Sequence, residues 1–165
     1  MALKLQIMLF LLFPLLGMAQ DKSNLSRFYI EPDRDYMVLS PYTFEQTIER
    51  LQKVLESKNI IVFATIEHHK AAEAVGESMS PATVLIVGNP KIGTALMQEN
   101  PLLAIELPLK ILVYQEGKTV NIRYEKIAAI AEKYHIKQNF GTAEKIDAAM
   151  LQLIDEVVYG SDKKH

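Results

Sequence analysis

Few side chains in this chain of 165 residues stand where acid–base or ligand chemistry needs them. His68 follows the apolar run Ile60 to Ile66 and precedes the Ala-rich stretch from Ala71, at the junction of a predicted strand and helix. An imidazole there can ligate a metal ion or move a proton near neutral pH. The competing reading is that it hydrogen-bonds the helix start. His69 and Glu73 are four apart and would share a helix face, as a metal pair requires, but a closed site needs three or four ligands.

Gly88-Asn89-Pro90-Lys91-Ile92-Gly93-Thr94 has the glycine spacing of a phosphate-binding loop, with Thr94 where the lysine is required. Nucleotide binding therefore fails. Free backbone N–H groups near a helix start, with Lys91 beside them, remain suited to a carboxylate or small phosphate, against the simpler reading of a tight turn. Glu106 and Lys110 bracket Leu107-Pro108-Leu109 at a strand entrance, set for an ion pair or for a buried carboxyl with a raised pKa. Tyr114 and Tyr124 read as sheet packing. The chain has no Gly-x-Ser-x-Gly elbow, no recognisable Ser/His/Asp set and no paired acidic motif.

Composition narrows the field. Lys4, the apolar core Leu5 to Leu16 and Gly17-Met18-Ala19 form a signal peptide, with cleavage after Ala19 and export to the periplasm or outside the cell. An apolar core of twelve residues is too short to span a bilayer, so no membrane association is expected after cleavage. The remaining 146 residues carry 17 basic and 20 acidic side chains, a net charge of −3 that gives no reason to expect nucleic acid. Without cysteine there are no disulfides and no thiolate chemistry.

These candidates need elements to hold them. Residues 20–35 read as a flexible lead-in, 36–159 as one α+β domain and 160–165 as a solvated tail. Tyr36 to Ser40 is a short strand. Thr43 with Gln46 makes a capping box, and Phe44, Ile48, Leu51 and Leu55 line one helix face. Ile60 to Ile66 reads as a strand buried on both faces. A helix over Ala71 to Ser78, a strand at Thr83 to Val87 and a helix from Thr94 follow. Leu109 to Gln115 and Lys118 to Tyr124 form a hairpin around Glu116-Gly117, and two helices close the chain, the last capped by Thr142. The order β-α-β-α-β-α-β-β-α-α predicts a mixed sheet of about five strands packed with helices. The same pattern leaves open sheet edges through which a homodimer can form.

Glu67-His68 with Ala72, Gly76 and Pro81, then GNPKIGTALMQENPLLAIELPLK, then Tyr124 and His135, resembles domain-of-unknown-function family 302 over about residues 38–158. The family pattern has Asp where this chain has Glu67 and Glu106. The resemblance implies an α+β domain and places His68, Asn89, Glu106 and Lys110 in one shared site. It names no activity and no cofactor. Convergence of His68 and Asn89 further requires their two strands to be parallel neighbours.

Two functions follow. The first is a small-ligand-binding module for a haem, a metal ion or an organic anion, using His68 (also the metal candidate) with Gly88, Asn89, Lys91, Thr94 and Lys110. The second is an enzyme with His68 as general base, Glu106 orienting it, and Lys91 or Lys110 holding an anionic substrate. A structural or interaction domain is the third.

Overall fold

Alternation along the strands decides the architecture. In a computed structural model that describes residues 33–160, Thr83, Leu85 and Val87 of one strand are buried while their neighbours are half-exposed. Ile111 and Val113 repeat this pattern on the next strand, while on the one after Val120, Ile122 and Tyr124 are buried and Asn121 between them is buried as well. One face of the sheet is thus buried and mostly apolar, and helices cover it.

The elements run β1 (Asp35–Ser40), α1 (Phe44–Ser57), β2 (Ile61–Glu67), α2 (His68–Glu73), β3 (Ala82–Gly88), α3 (Pro90–Glu99), a short 3-10 helix (Pro101–Ile105), β4 (Leu109–Glu116), β5 (Thr119–Glu125), α4 (Ile127–Lys133) and α5 (Phe140–Tyr159). This is the predicted order, in an α+β domain. The capping box at Thr43 and Gln46 forms with both reciprocal bonds at 3.2 Å. The expected signal peptide, the expected lead-in up to residue 32 and the tail beyond residue 160 lie outside the described residues.

The sheet order is β1-β5-β4-β3-β2, and every neighbouring pair is antiparallel. The expected mixed sheet is not formed. Between β2 and β3 the chain reverses through α2 and the segment up to Pro81 and re-enters at the end it left, instead of crossing back along the sheet as a parallel neighbour requires. The strand expected to be buried on both faces is instead the sheet edge. Ile61, Phe63 and Ile66 of β2 are 47%, 50% and 41% exposed. A continuous apolar run does not distinguish a central strand from an edge strand that lines a groove.

The core lies between the sheet and α1, α4 and α5, with Leu51, Leu55, Leu85, Ile111, Ile122, Leu153 and Ile154 almost wholly buried. Arg50 of α1 ties to α5 by donating from Nε to the Val157 carbonyl at 2.8 Å.

Candidate functional site

The Gly-Asn-Pro turn comes first, because its backbone decides what it can bind. Asn89 caps α3, its Oδ1 accepting the Lys91 N–H at 3.0 Å. Its carbonyl accepts the N–H groups of Ile92 and Gly93 at 3.0 Å. Pro90, the first helical residue, has no N–H to offer. Thr94 donates its hydroxyl to the Pro90 carbonyl at 2.6 Å. The helix therefore starts four residues earlier than predicted, and the free donors expected for a carboxylate or phosphate are spent inside its own first turn.

The turn does serve another purpose. Gly88, Asn89, Pro90, Gly93 and Thr94 form one wall of a cavity of about 680 Å³ between this end of the sheet and the helices. Phe63, Val87, Leu107 and Leu109 line it from the sheet side, and Ile146, Ala149, Met150 and Leu153 of α5 close the opposite wall. Met97 and Ile127 add to the apolar surface, while Lys58, Thr142, Lys145 and Gln152 are its remaining polar side chains. The volume is in the range of drug-sized ligand sites, and the apolar lining with a few polar groups has their usual character. Gly88 allows a close approach here: a Cβ would sit 3.3 Å from Cβ of Pro108, tighter than usual, and 3.5 Å from the Phe63 ring.

Phe63 reaches this wall through a bulge. Val62 faces Val87 and Ala64 faces Ile86, so Phe63 is the extra residue without a partner in the ladder. Such an insertion redirects a side chain, and the ring lines the cavity.

His68 is elsewhere. Glu67 pairs with Thr83 at one end of the β2–β3 ladder and Ile61 pairs with Gly88 at the other. His68 is exposed at the first end and Asn89 starts α3 at the second, so the antiparallel register separates them. Glu67 forms an ion pair with Lys70 at 2.7 Å. His69 Nδ1 lies 3.0 Å from the Ala82 carbonyl oxygen and 3.3 Å from its amide nitrogen, and its ring meets Phe44 edge-on, which is a packing role. Among the described residues no three His, Cys, Asp or Glu side chains are grouped to hold a metal ion. The expected metal role of His68 thus has no companion ligands there.

Glu106 also departs from expectation. Its carboxylate accepts from Lys133 Nζ at 2.7 Å and from the Tyr134 hydroxyl at 2.8 Å. The bond from Lys133 lowers the Glu106 pKa, and Glu106 in turn raises those of Lys133 and Tyr134. Lys110 reaches the Glu106 carbonyl at 2.7 Å rather than its carboxylate. Glu106 and Lys110 therefore fasten the entrance of β4 to α4. Lys91 is exposed beside the cavity wall without forming part of it, as is Lys110. Of the expected site residues, Gly88, Asn89 and Thr94 come together, while His68, Glu106, Lys91 and Lys110 do not join them.

Two further carboxylates hold segments remote from them in the sequence. Glu99, the last residue of α3, accepts the N–H groups of Lys137, Gln138 and Asn139 at 2.5, 2.9 and 2.9 Å. These bonds, that from Lys137 foremost, hold its pKa down to about 2. Asp147 of α5 accepts the N–H groups of Ile127 and Ala128 at 2.7 and 2.9 Å, capping α4 from another element. Burial nonetheless raises its pKa. Both hold cavity-forming helices in place. A carboxylate that caps a distant segment leaves no local spacing signal, unlike Thr43 and Gln46.

Comparison with known proteins places this geometry in a family. Residues 36–157 match the domain of unknown function DUF302. A crystal structure of an uncharacterized conserved DUF302 protein from Bacillus stearothermophilus superposes with a TM-score of 0.69 at 25% identity, over 74% of this chain and 97% of that one. Two curated relatives are the fluoride-specific ion channel FluC 1 of Brucella suis biovar 1 and of Brucella abortus biovar 1, each 32% identical over 80 residues. Those matches cover 48% of this chain but only 32% and 30% of the relatives, so the chain spans about a third of their length. No described helix here is long and apolar enough to cross a membrane. The match over the whole folded region, with the matching solved fold, identifies this chain as a member of the DUF302 family.

Proposed function

We propose that the domain is a small-ligand-binding module whose ligand seats its apolar body in the cavity between β3, α3 and α5. The observation that carries this reading is the lining. Apolar side chains from the sheet and two helices converge on one concave space, with Asn89, Thr142 and Gln152 as polar contacts. The reading moves the site away from His68, and with it away from a histidine-ligated haem or metal. An enzyme with His68 as base and Glu106 as its orienting partner finds no support, because Glu106 is bound to Lys133 and Tyr134 at the end of the sheet away from His68. We also hold that the mature chain begins at Gln20 and acts after export, on the strength of the charge, apolar core and small residues of the leader.

The test uses N-phenyl-1-naphthylamine, a neutral dye that fluoresces in apolar sites, with the 20–165 chain. Saturable binding is expected, weakened at least about tenfold, or ~1.4 kcal/mol, by Ala149→Trp, with Tm unchanged. Ala149 is an exposed residue on the cavity wall, so a larger side chain fills the space without disturbing the core. No saturable binding, or equal binding by the variant, would sink the reading. Intact mass of the protein from an exporting host checks the start at Gln20.

A further inference from the structure

The cavity has a charge bias that the rest of the chain does not share. The protein as a whole has 20 acidic and 18 basic residues. The cavity lining has two lysines, Lys58 and Lys145, and no acidic residue. We infer that the ligand is an anionic amphiphile, an aliphatic chain carrying a carboxylate, with Lys145 receiving the head group. This rests on the cavity being a ligand site, as proposed above.

The two lysines are not equivalent. Lys58 Nζ is 2.7 Å from a carboxylate oxygen of Glu156, which neutralises it. Lys145 forms no ion pair among the described residues. Residues three and four away on a helix are the ones a side chain meets, and for Lys145 these are Gly141, Thr142, Ala148 and Ala149. None is acidic. Asp147, close by in sequence, is committed to the N–H groups of Ile127 and Ala128.

Lys145 is exposed at the rim, and Ile146, Ala149, Met150 and Leu153 continue from it along the same wall. One wall thus offers a cation followed by an apolar track, the complement of a head group followed by a hydrocarbon tail. The start of α3 adds a positive field from the opposite wall, although its N–H groups are occupied and supply no further bonds. A cationic amphiphile meets repulsion from Lys145, and a neutral one gains nothing from it.

The experiment displaces N-phenyl-1-naphthylamine from the 20–165 chain with decanoate, decanol or decyltrimethylammonium, in wild type and in Lys145→Gln. Decanoate is expected to compete about threefold to tenfold better than decanol at low salt, the margin of a partly exposed charge contact. That margin should shrink as salt is added and vanish in Lys145→Gln, with decanol unaffected. If the dye binds but decanoate shows no advantage, keeps its advantage in Lys145→Gln, or loses to decyltrimethylammonium, the head-group assignment falls and the cavity stands. If the dye does not bind, both fall.

Discussion

His68 and Asn89 leave opposite ends of one antiparallel pair, with six residue steps along β2 and five along β3 from the Ile61–Gly88 pair to the Glu67–Thr83 pair. At about 3.4 Å per residue this separates them by ~20 Å. His68→Ala is therefore expected to leave both dye affinity and Tm unchanged. Asn89→Ala removes the α3 cap and should cost about 1 kcal/mol, with weaker dye binding from the frayed wall. Urea midpoints and dye titrations on the two variants check the pair of outcomes. Loss of dye binding in His68→Ala alone would reverse the assignment of the site.

Glu99 predicts a pH signature. Its pKa is held near 2, below the ordinary value of 4.5, by bonds to the α4–α5 connection. A lowered carboxylate pKa contributes stability above its unfolded value and loses it as pH falls through the folded one. The Tm difference between wild type and Glu99→Gln should therefore be widest above about pH 5 and close between pH 4.5 and about 2. Calorimetry across that range measures it. A difference that does not change with pH would show that the charge is immaterial.

Asp147 satisfies two N–H groups at the start of α4 that have no partner within the helix. Asp147→Ala should cost about 1–3 kcal/mol, and Asp147→Asn less, since one amide oxygen can still accept. Urea unfolding with an unchanged m-value is the measurement.

Gly88 is confined between Pro108 and Phe63. Gly88→Val forces those neighbours apart and takes up cavity volume, at an expected cost of about 1–3 kcal/mol. Dye affinity should fall together with stability, which separates this variant from Ala149→Trp, where affinity alone falls.

The element order was legible because each helix and strand advertises itself locally, through the capping box at Thr43, the alternation from Val120 to Tyr124 and the apolar stripe of α5. Sheet direction was not, since strand periodicity is the same in parallel and antiparallel ladders. That one ambiguity moved His68 from the site to the far end of the sheet. The Gly88-Asn89 wall was found, but for the wrong chemistry. Its glycine and proline signal a turn equally well whether the N–H groups point to a ligand or are consumed by Asn89. Lys145, Ala149 and the rest of the α5 wall read simply as helix surface and core stripe, and only packing shows that the stripe stops short of the sheet and leaves a space.

The bulge at Phe63 has a consequence for assembly. As the last strand in the sheet order, β2 offers backbone groups to any incoming extended chain, the usual starting point for runaway fibre growth. The extra residue breaks the regular spacing that such a chain must match, so the protein carries its own stop signal against templated stacking. The same irregularity aims the Phe63 ring at the cavity wall. A strand that ironed out the kink would turn the aromatic away from the cavity wall.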